Sequence, residues 1–248
     1  MSSHQPSGHF IVIEGPDGSG KTTQLKLLKD WLENAGHEVV VAREPGGTKW
    51  GMEIRRIFLE GQGELDPMAE VMLLLAAKAQ VLREVIYPAY NTGKIVLMDR
   101  YSDSLLAYQG GGRQLGLRVL QDVLRAAELN FPPTLSIYID TTLETCMQRI
   151  SMRPGAENNS IDALGTAYHQ RVHRVYHQLA EDARLCGRPY AVVDGGSSAE
   201  DVHLDVLSHL PNALHKHSPV RAMQGRGSFG GVFQVIEESP VCEVALRD

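Results

Sequence analysis

Five short runs of largely apolar, often β-branched residues recur along the chain, and most are apolar at nearly every position. They are Phe10–Glu14, Glu38–Arg43, Ile95–Asp99, Leu135–Asp140 and Tyr190–Asp194. A strand that is apolar on both faces must be covered on both, which favours a parallel sheet between two layers of helices. The longer stretches between the runs carry helical patterns, so right-handed βαβ units are expected. The sequence therefore predicts a doubly wound α/β fold with five parallel strands flanked by helices.

The stretch between the first two runs shows the helical spacing most clearly. Leu25, Leu28 and Leu32 fall three and four residues apart, and Gly36 suits the end of a helix. Residues 67–90 and 115–130 predict further helices. Because ligands of open α/β sheets bind beyond the carboxyl ends of the strands, the charged residues that end several runs mark one common rim. These residues are Glu14, Arg43, Asp99 and Asp140.

A complete G-x-x-x-x-G-K-T motif follows the first run and opens the first predicted helix, which is the context that a phosphate-binding loop (P-loop) requires. Its residues are Gly15, Pro16, Asp17, Gly18, Ser19, Gly20, Lys21 and Thr22. The glycines let backbone N–H groups turn around phosphate oxygens, and the helix N-terminus adds partial positive charge. Lys21 can reach the β- and γ-phosphates, and the Thr22 hydroxyl can ligate Mg²⁺. The motif leaves open ATP or GTP as the nucleotide, and hydrolysis or transfer as the reaction.

Charge and the two ends of the chain narrow the class of protein. The 24 basic and 30 acidic residues give a formal net charge of −6, which argues against broad binding of nucleic acid or anionic membranes. No apolar run approaches the length of a membrane span, and the polar start has no secretory apolar region, so a cytoplasmic protein is expected. We expect residues 1–9 to form a polar arm, residues 10–212 the domain, and residues 213–248 a flexible extension that contains the Gly-rich segment GRGSFGG.

A rigid turn, REPGGT, follows the second run at residues 43–48. Its proline restricts the backbone, and its paired glycines permit a close approach to a ligand. Arg55 lies on a helical stretch that can face the same rim, although a surface arginine is most often simply solvated.

The end of the third run carries the polar groups expected opposite the P-loop. Asp99 can hold Mg²⁺ directly or through water, and the neighbouring Arg100 can neutralise a transferring phosphate. Tyr108 and Gln109 offer a flat ring and an amide, which can bound a sugar and hydrogen-bond a base.

Four motifs together carry a resemblance to one family. FIVIEGPDGSGKTTQ, REPGGT, DRYSDSLLAYQGGGR and LSIYID stand in the order and at the spacing of bacterial thymidylate kinases, and the likeness spans roughly residues 8–210. The resemblance implies a P-loop nucleoside monophosphate kinase with a mobile lid segment. It further implies ATP as the phosphoryl donor, thymidine monophosphate as the acceptor, Mg²⁺ as the cofactor and a homodimer as the assembly.

The same resemblance implies roles for single residues on the donor side. Thr23 and Arg149 join the P-loop residues in binding ATP, and Thr22 and Asp99 hold the metal. Arg149 and Arg153 lie in the stretch CMQRISMR, which matches the lid. The residues that it assigns to catalysis are Lys21, Arg100, Arg153 and Asp17.

On the acceptor side the resemblance implies that Arg100 and Arg55 clamp the phosphate of the monophosphate. Tyr108 packs beneath the deoxyribose and disfavours a 2′-hydroxyl, while Gln109 lies beside the base. Glu44, with Asp99, organises Mg²⁺ or the acceptor sugar. The residues expected to bind the acceptor are Glu44, Arg55, Leu74, Lys78, Arg100, Ser104, Tyr108 and Gln109.

The sequence departs from the family in the base pocket and in the lid. Leu74 and Lys78 stand where the family has a phenylalanine that stacks on thymine and an arginine that reads its edge. The lid pattern Asp-Arg-aromatic-Glu falls on residues 159–162, where Ser160 replaces one arginine. Gly18 stands where one subgroup of the family carries an arginine in the P-loop.

These departures leave two alternatives to a thymidylate kinase. The first is a kinase for another pyrimidine monophosphate, tolerated because of Leu74 and Lys78. The second is a nucleotide-binding regulatory protein with weak catalysis, suggested by Ser160 and by the added C-terminal segment. The complete P-loop and the intact Asp99-Arg100-Tyr101 argue against the regulatory protein.

Overall fold

A computed structural model describes residues 8–61, 64–152, 161 and 164–215. Its centre is a five-stranded sheet with the strand order β2-β3-β1-β4-β5, in which every neighbouring pair is parallel. The strands are β1 His9–Glu14, β2 Val39–Arg43, β3 Ile95–Asp99, β4 Leu135–Asp140 and β5 Tyr190–Asp194. The predicted five-stranded parallel α/β fold is confirmed. β1 begins one residue earlier than predicted and β2 one residue later, while the other strands have the predicted bounds.

Helices connect the strands along the described chain. They are α1 Lys21–Asn34, α2 Lys49–Glu60, α3 Pro67–Val81, α4 Tyr87–Asn91, α5 Ser102–Leu105, α6 Leu117–Ala126, α7 Leu143–Ser151, α8 Thr166–Cys186 and α9 Ala199–Ser208. Two π-helical turns, Leu82–Ile86 and Leu106–Gly112, and a 3₁₀ turn, Asn212–His215, complete the set. The helix predicted over residues 67–90 is therefore α3, a π-helical turn and α4 in succession, and the helix predicted over 115–130 is the shorter α6.

The sheet is buried on both faces, as its apolar runs require. Alternate side chains of β1 point to opposite sides, so Ile11 and Ile13 lie in one core cluster while Phe10 and Val12 lie in another. The first cluster is completed by α1 and α9, and the second by α3 and α4 together with the π-helical turn between them. This two-sided covering explains why the runs are apolar at nearly every position.

The register of the sheet brings three strand ends together at the predicted rim. Asp99 of β3 lies opposite Ile13 of β1 on one side and opposite Arg43 of β2 on the other. Beyond the strands, the backbone N–H of Arg100 donates to the Ile13 carbonyl at 3.0 Å, and that of Glu44 donates to the Asp99 carbonyl at 3.0 Å. The P-loop, the REPGGT turn and the Asp99-Arg100 corner therefore start from neighbouring points.

The π-helical turn Leu106–Gly112 is an element that the sequence does not indicate, because its three consecutive glycines are poor helix formers. The glycines are needed for close packing against α8. A β-carbon at Gly111 would lie 2.4 Å from the Val175 side chain, and one at Gly112 would lie 2.5 Å from the Tyr168 ring. The glycines therefore let this turn, which carries Tyr108 and Gln109, lie directly on α8.

The last described residues remain part of the packed domain. Leu214 and His215 are buried, the His215 ring contacts Trp31 of α1, and the Leu214 carbonyl lies 3.1 Å from the His37 ring nitrogen. The rest of the predicted C-terminal extension lies outside the described residues. Over the part of the chain that is described, no helix is both long and apolar enough to cross a membrane.

Candidate active site

The P-loop leads from β1 into α1 around a cavity of about 500 Å³. The Lys21 ammonium folds back and donates to the Pro16 carbonyl at 2.6 Å. Burial, together with the nearby Arg100 charge, lowers the pKa of Lys21 to about 8. Of the residues expected to bind ATP, those that line this cavity are Asp17, Gly18, Gly20, Lys21, Thr22, Thr23 and Arg149. We refer to it below as the donor cavity.

Arg149 links α7 to the P-loop and to the segment that follows β5. Its guanidinium donates to the Gly195 carbonyl at 3.0 Å and approaches the Ser19 carbonyl at 3.4 Å. The backbone of α7 also approaches the loop so closely that a β-carbon at Gly18 would lie 2.4 Å from the Cys146 carbonyl oxygen, and Gly18 has a φ of +83°. An arginine in the P-loop, as in one subgroup of the family resembled, therefore does not fit this backbone.

The residues expected to hold Mg²⁺ fit that ion. Thr22 lies exposed in the first turn of α1, and Thr22 and Asp99 both line the donor cavity. The Asp99 Oδ1 atom is buried and has no hydrogen-bond partner among the described residues. Such an oxygen suits a cation that takes few protein ligands and completes its shell with phosphate and water.

A second cavity, of about 110 Å³, adjoins the donor cavity, and we call it the acceptor cavity. All of the residues expected to bind the acceptor line it, namely Glu44, Arg55, Leu74, Lys78, Arg100, Ser104, Tyr108 and Gln109. Asp17, Glu44, Arg55 and Arg100 line both cavities, so they form a common wall. The remaining lining is largely apolar and comes from Pro45, Phe58, Leu59, Tyr101, Leu105 and Ile161.

Arg100 occupies the centre of the common wall. It takes a left-handed backbone conformation, with φ of +69°, where β3 ends and the chain turns toward α5. Its guanidinium donates to the Asp17 carboxylate at 2.6 Å, to the Gly15 carbonyl at 3.0 Å and to the Tyr108 hydroxyl at 3.1 Å. Although burial opposes it, the charges of Arg100 and Lys21 hold the pKa of Asp17 well below its usual range. An unusual backbone conformation that is held by several bonds in this way is typical of functional sites.

Beneath Arg100 lies a buried carboxylate to which the sequence analysis assigned no function. Glu14, the last residue of β1, accepts from the Tyr101 backbone N–H at 2.7 Å and from the Ser104 hydroxyl at 2.6 Å. Burial and the neighbouring Asp103 carboxylate raise the pKa of Glu14 to about 7. The signal in the sequence was the acid at the end of a buried strand, which placed Glu14 at the rim but did not identify its hydrogen-bond partners.

Lys78 has its charge balanced inside the protein. It is only 1% exposed, its ammonium lies 2.9 Å from the Glu44 carboxylate, and it sits 3.2 Å from the centre of the Tyr101 ring. Burial lowers the pKa of Lys78, and the Glu44 charge opposes that shift. Contact between Lys78 and an acceptor base stays a prediction. In this structure the Lys78 ammonium pairs with the Glu44 carboxylate.

Two residues that the sequence did not single out bear on the acceptor cavity, one in its lining and one behind it. Phe58 of α2 lines the cavity with Leu74 and supplies an aromatic ring to its apolar wall. Glu70 of α3 binds both Gln109 and Arg113. Each had only a weak signal, since an aromatic residue on a helix and an acid in an apolar helix are both ordinary features.

The predicted lid is largely outside the structure's described part. Arg153 and residues 159, 160 and 162 lie outside the described residues, so the catalytic role expected of Arg153 stays a prediction. Ile161 is described; it is buried and lines the acceptor cavity.

Comparison with known proteins agrees with this geometry. The family model described as thymidylate kinase matches residues 13–206. The thymidylate kinase of Pelotomaculum thermopropionicum is 45% identical over 208 residues, which make up 84% of this chain and 94% of that protein. The chain belongs to the thymidylate kinase family.

Other members support the same assignment over nearly their full length. The thymidylate kinase of Nitratidesulfovibrio vulgaris (strain DP4) is 40% identical over 223 residues, covering 88% of this chain and 98% of that protein. The crystal structure of thymidylate kinase from Ehrlichia chaffeensis is similar with a TM-score of 0.66 at 26% identity, covering 82% of this chain and 98% of that chain. Within the thymidylate kinase family this chain is therefore similar to other members in both sequence and fold.

Proposed function

We propose that the chain transfers the γ-phosphoryl group of ATP to thymidine monophosphate and so produces thymidine diphosphate. The observation that carries the proposal is the common wall of the two cavities, formed by Asp17, Glu44, Arg55 and Arg100. A phosphate bound in each cavity would contact these shared residues. The two phosphates would then lie next to each other, as direct transfer between them requires.

Transfer of a phosphoryl group to a phosphate oxygen needs no separate base, because the acceptor oxygen is already a competent nucleophile. The protein's task is to bring two polyanions together and to cancel their repulsion. Lys21 serves the donor phosphates, while Arg55 and Arg100 serve the phosphate of the acceptor. Bound Mg²⁺, held by Thr22 and Asp99, would neutralise charge on the donor phosphates.

The acceptor cavity suits a deoxyribonucleoside. Tyr108 is buried, and its hydroxyl is held by Asp17 at 2.8 Å, so its ring is fixed beside Arg100. A fixed ring at this place fits beneath a deoxyribose and leaves little room for a 2′-hydroxyl. The apolar lining from Phe58, Leu59 and Leu74 suits the flat base beyond it.

The assembly and location belong to the same proposal. We infer a homodimer, since α2 and α3 expose large apolar side chains, among them Trp50, Met52, Ile57 and Met72. Sedimentation analysis tests it, and a monomer at micromolar concentration would overturn it. A cytoplasmic location fits an enzyme that works on nucleotide precursors. No observation on the described residues favours a regulatory role.

A coupled assay of ADP release tests the function. With ATP and Mg²⁺ present, we expect rapid turnover with dTMP, slower turnover with dUMP and little with UMP or CMP. The product should be identified as the nucleoside diphosphate. Absence of dTMP phosphorylation by folded protein would exclude the proposal, and a preference for UMP or CMP would assign the acceptor to another pyrimidine.

A further inference from the structure

Gln109 lines the acceptor cavity but not the donor cavity, as Lys78, Ser104 and Tyr108 also do. Each of these side chains has an internal hydrogen-bond partner. Gln109 lies on the π-helical turn, its side chain is buried, and it borders the part of the cavity that is not shared with the donor. Its amide is thus suited to meet the polar edge of an acceptor base.

The Gln109 amide is held by a carboxylate behind it. The amide nitrogen donates to Glu70 Oε2 at 3.2 Å. Arg113 donates through Nε to the same oxygen at 3.2 Å and through Nη2 to the other oxygen at 2.5 Å. Glu70 is buried, and neither Glu70 nor Arg113 is part of the cavity lining. The side-chain contact that joins Glu70 to the cavity lining is the hydrogen bond from Gln109.

The hydrogen-bonding groups of Glu70 and Gln109 determine the orientation of the Gln109 amide. A carboxylate only accepts hydrogen bonds, whereas an amide has one end that donates and one that accepts. Turning the Gln109 amide over would place its oxygen against the Glu70 carboxylate and leave two buried acceptors facing each other. Arg113 holds both carboxylate oxygens in its planar fork, so the carboxylate has no freedom to move away.

We propose that Glu70 and Arg113 are positioning residues that orient the Gln109 amide so that its carbonyl oxygen faces the acceptor base. This orientation selects bases that carry an N3–H donor, which are thymine and uracil. The proposal rests on the proposed transfer to thymidine monophosphate, with Gln109 beside the base as the resemblance implies, and it adds the two residues that hold the amide in place.

The discrimination follows from the hydrogen-bonding edges of the bases. Thymine and uracil have an N–H group at N3, between two carbonyl groups, so N3 donates to the Gln109 oxygen. Cytosine has an unprotonated N3 that accepts, so two acceptors would meet in a buried place. A site built in this way rejects the mismatched ligand because its own polar group is left unpaired.

Glu70→Gln tests the proposal, because glutamine keeps the shape of glutamate but can both donate and accept. The Gln109 amide can then turn over and offer its nitrogen to cytosine. We expect the ratio of kcat/KM for dTMP to that for dCMP to fall about tenfold or more, with KM for ATP unchanged. Glu84→Gln is the matched control, since Glu84 also accepts from a glutamine amide, that of Gln80, but on the surface. The control should leave the ratio unaltered.

Two more variants separate orientation from simple structural support. Glu70→Asp keeps an acceptor-only partner, so it should retain the preference for dTMP even where the melting temperature falls. Arg113→Lys keeps the positive charge but loses the fork, so it should lower the ratio a few-fold and serves as the main test if Glu70→Gln does not fold. All ratios are measured on protein whose fold is checked by circular dichroism.

The outcomes distinguish this inference from the function on which it rests. If the wild-type enzyme does not phosphorylate dTMP, the proposed function fails first. If the wild type prefers dTMP over dCMP but the ratio is the same in Glu70→Gln or in Arg113→Lys, the positioning role is wrong and the function stands. Equal use of dCMP and dTMP by the wild type would also overturn the inference while leaving phosphoryl transfer intact.

Discussion

The donor cavity and the acceptor cavity share a wall but are built in different ways. The donor cavity takes much of its lining from consecutive residues of the P-loop and the first turn of α1. The acceptor cavity takes its lining from α2, α3, the β3–α5 corner and the π-helical turn, which are distant along the chain. One cavity is therefore set by a local backbone conformation and the other by how several elements pack.

The two cavities also differ in how their charges are balanced. On the acceptor side, two positive groups have carboxylate partners within the protein: Lys78 pairs with Glu44 and, behind the lining, Arg113 pairs with Glu70. On the donor side, Lys21 has only the Pro16 carbonyl as its hydrogen-bond partner among the described residues. This difference indicates that the donor side leaves positive charge for a polyanion, while the acceptor side uses charge pairs to hold its shape.

The largest expected effect comes from a substitution in the donor cavity. Lys21→Ala should lower kcat about 10³-fold, or ~4 kcal/mol, because the lysine's target is the transferring phosphate. The melting temperature should change little. Lys26→Ala, at an exposed position of the same helix, is the control. Turnover close to the wild type in correctly folded Lys21→Ala would remove the P-loop lysine from the mechanism.

The common wall gives the next largest effect. Arg100→Ala should lower kcat/KM for dTMP about 10²-fold, chiefly through the acceptor phosphate. Titration calorimetry should show ATP affinity nearly unchanged. Arg56→Ala is the control, since Arg56 is exposed and pairs with Glu53 on the same helix. A collapse of ATP affinity with unaltered dTMP affinity would assign Arg100 to the donor side and contradict the division between the cavities.

The charge pairs of the acceptor cavity predict an effect on stability. Lys78→Met should lower the free energy of unfolding by about 3 kcal/mol, because it leaves the buried Glu44 carboxylate without its partner. Adding Glu44→Gln to the same chain should recover part of that loss. Urea unfolding measures both.

An exposed pair provides the comparison for Lys78. Lys29→Met removes the partner of Glu33 on the surface of α1, where the loss should stay within about 0.5 kcal/mol. Equal losses for Lys29→Met and Lys78→Met would show that the buried pair does not hold the acceptor cavity in shape.

The smallest expected effect concerns the apolar wall. Leu74→Phe should lower KM for dTMP a few-fold, from ~1 kcal/mol of added ring stacking. Leu73→Phe, on the same helix but not part of the cavity lining, should not. A rise in KM for Leu74→Phe alone would mean that Phe58 already fills the space and that the added ring overpacks the wall.

The sequence predicted which residues form the candidate site more completely than it predicted the contacts between those residues. The residues expected to bind the acceptor all line one cavity. Five of them belong to the motifs REPGGT and DRYSDSLLAYQGGGR, which follow neighbouring strands, while Arg55, Leu74 and Lys78 lie on α2 and α3. The contacts of Lys78 were not predicted, since its partner Glu44 is 34 positions away in the chain. The π-helical turn was not predicted either, because its glycines are chosen for packing against α8 and not for helix formation.

By itself the sequence determined the layers of the fold, the strand bounds to within about one residue and the place of the phosphate loop. These features depend on local patterns, namely the apolar runs and the glycine spacing between a strand and a helix. Only the tertiary structure decided which charges are paired, how Glu14 supports Ser104 and which way the Gln109 amide points. Those features depend on partners far apart in the chain, and the burial that makes each partner decisive arises only when the helices close over the sheet.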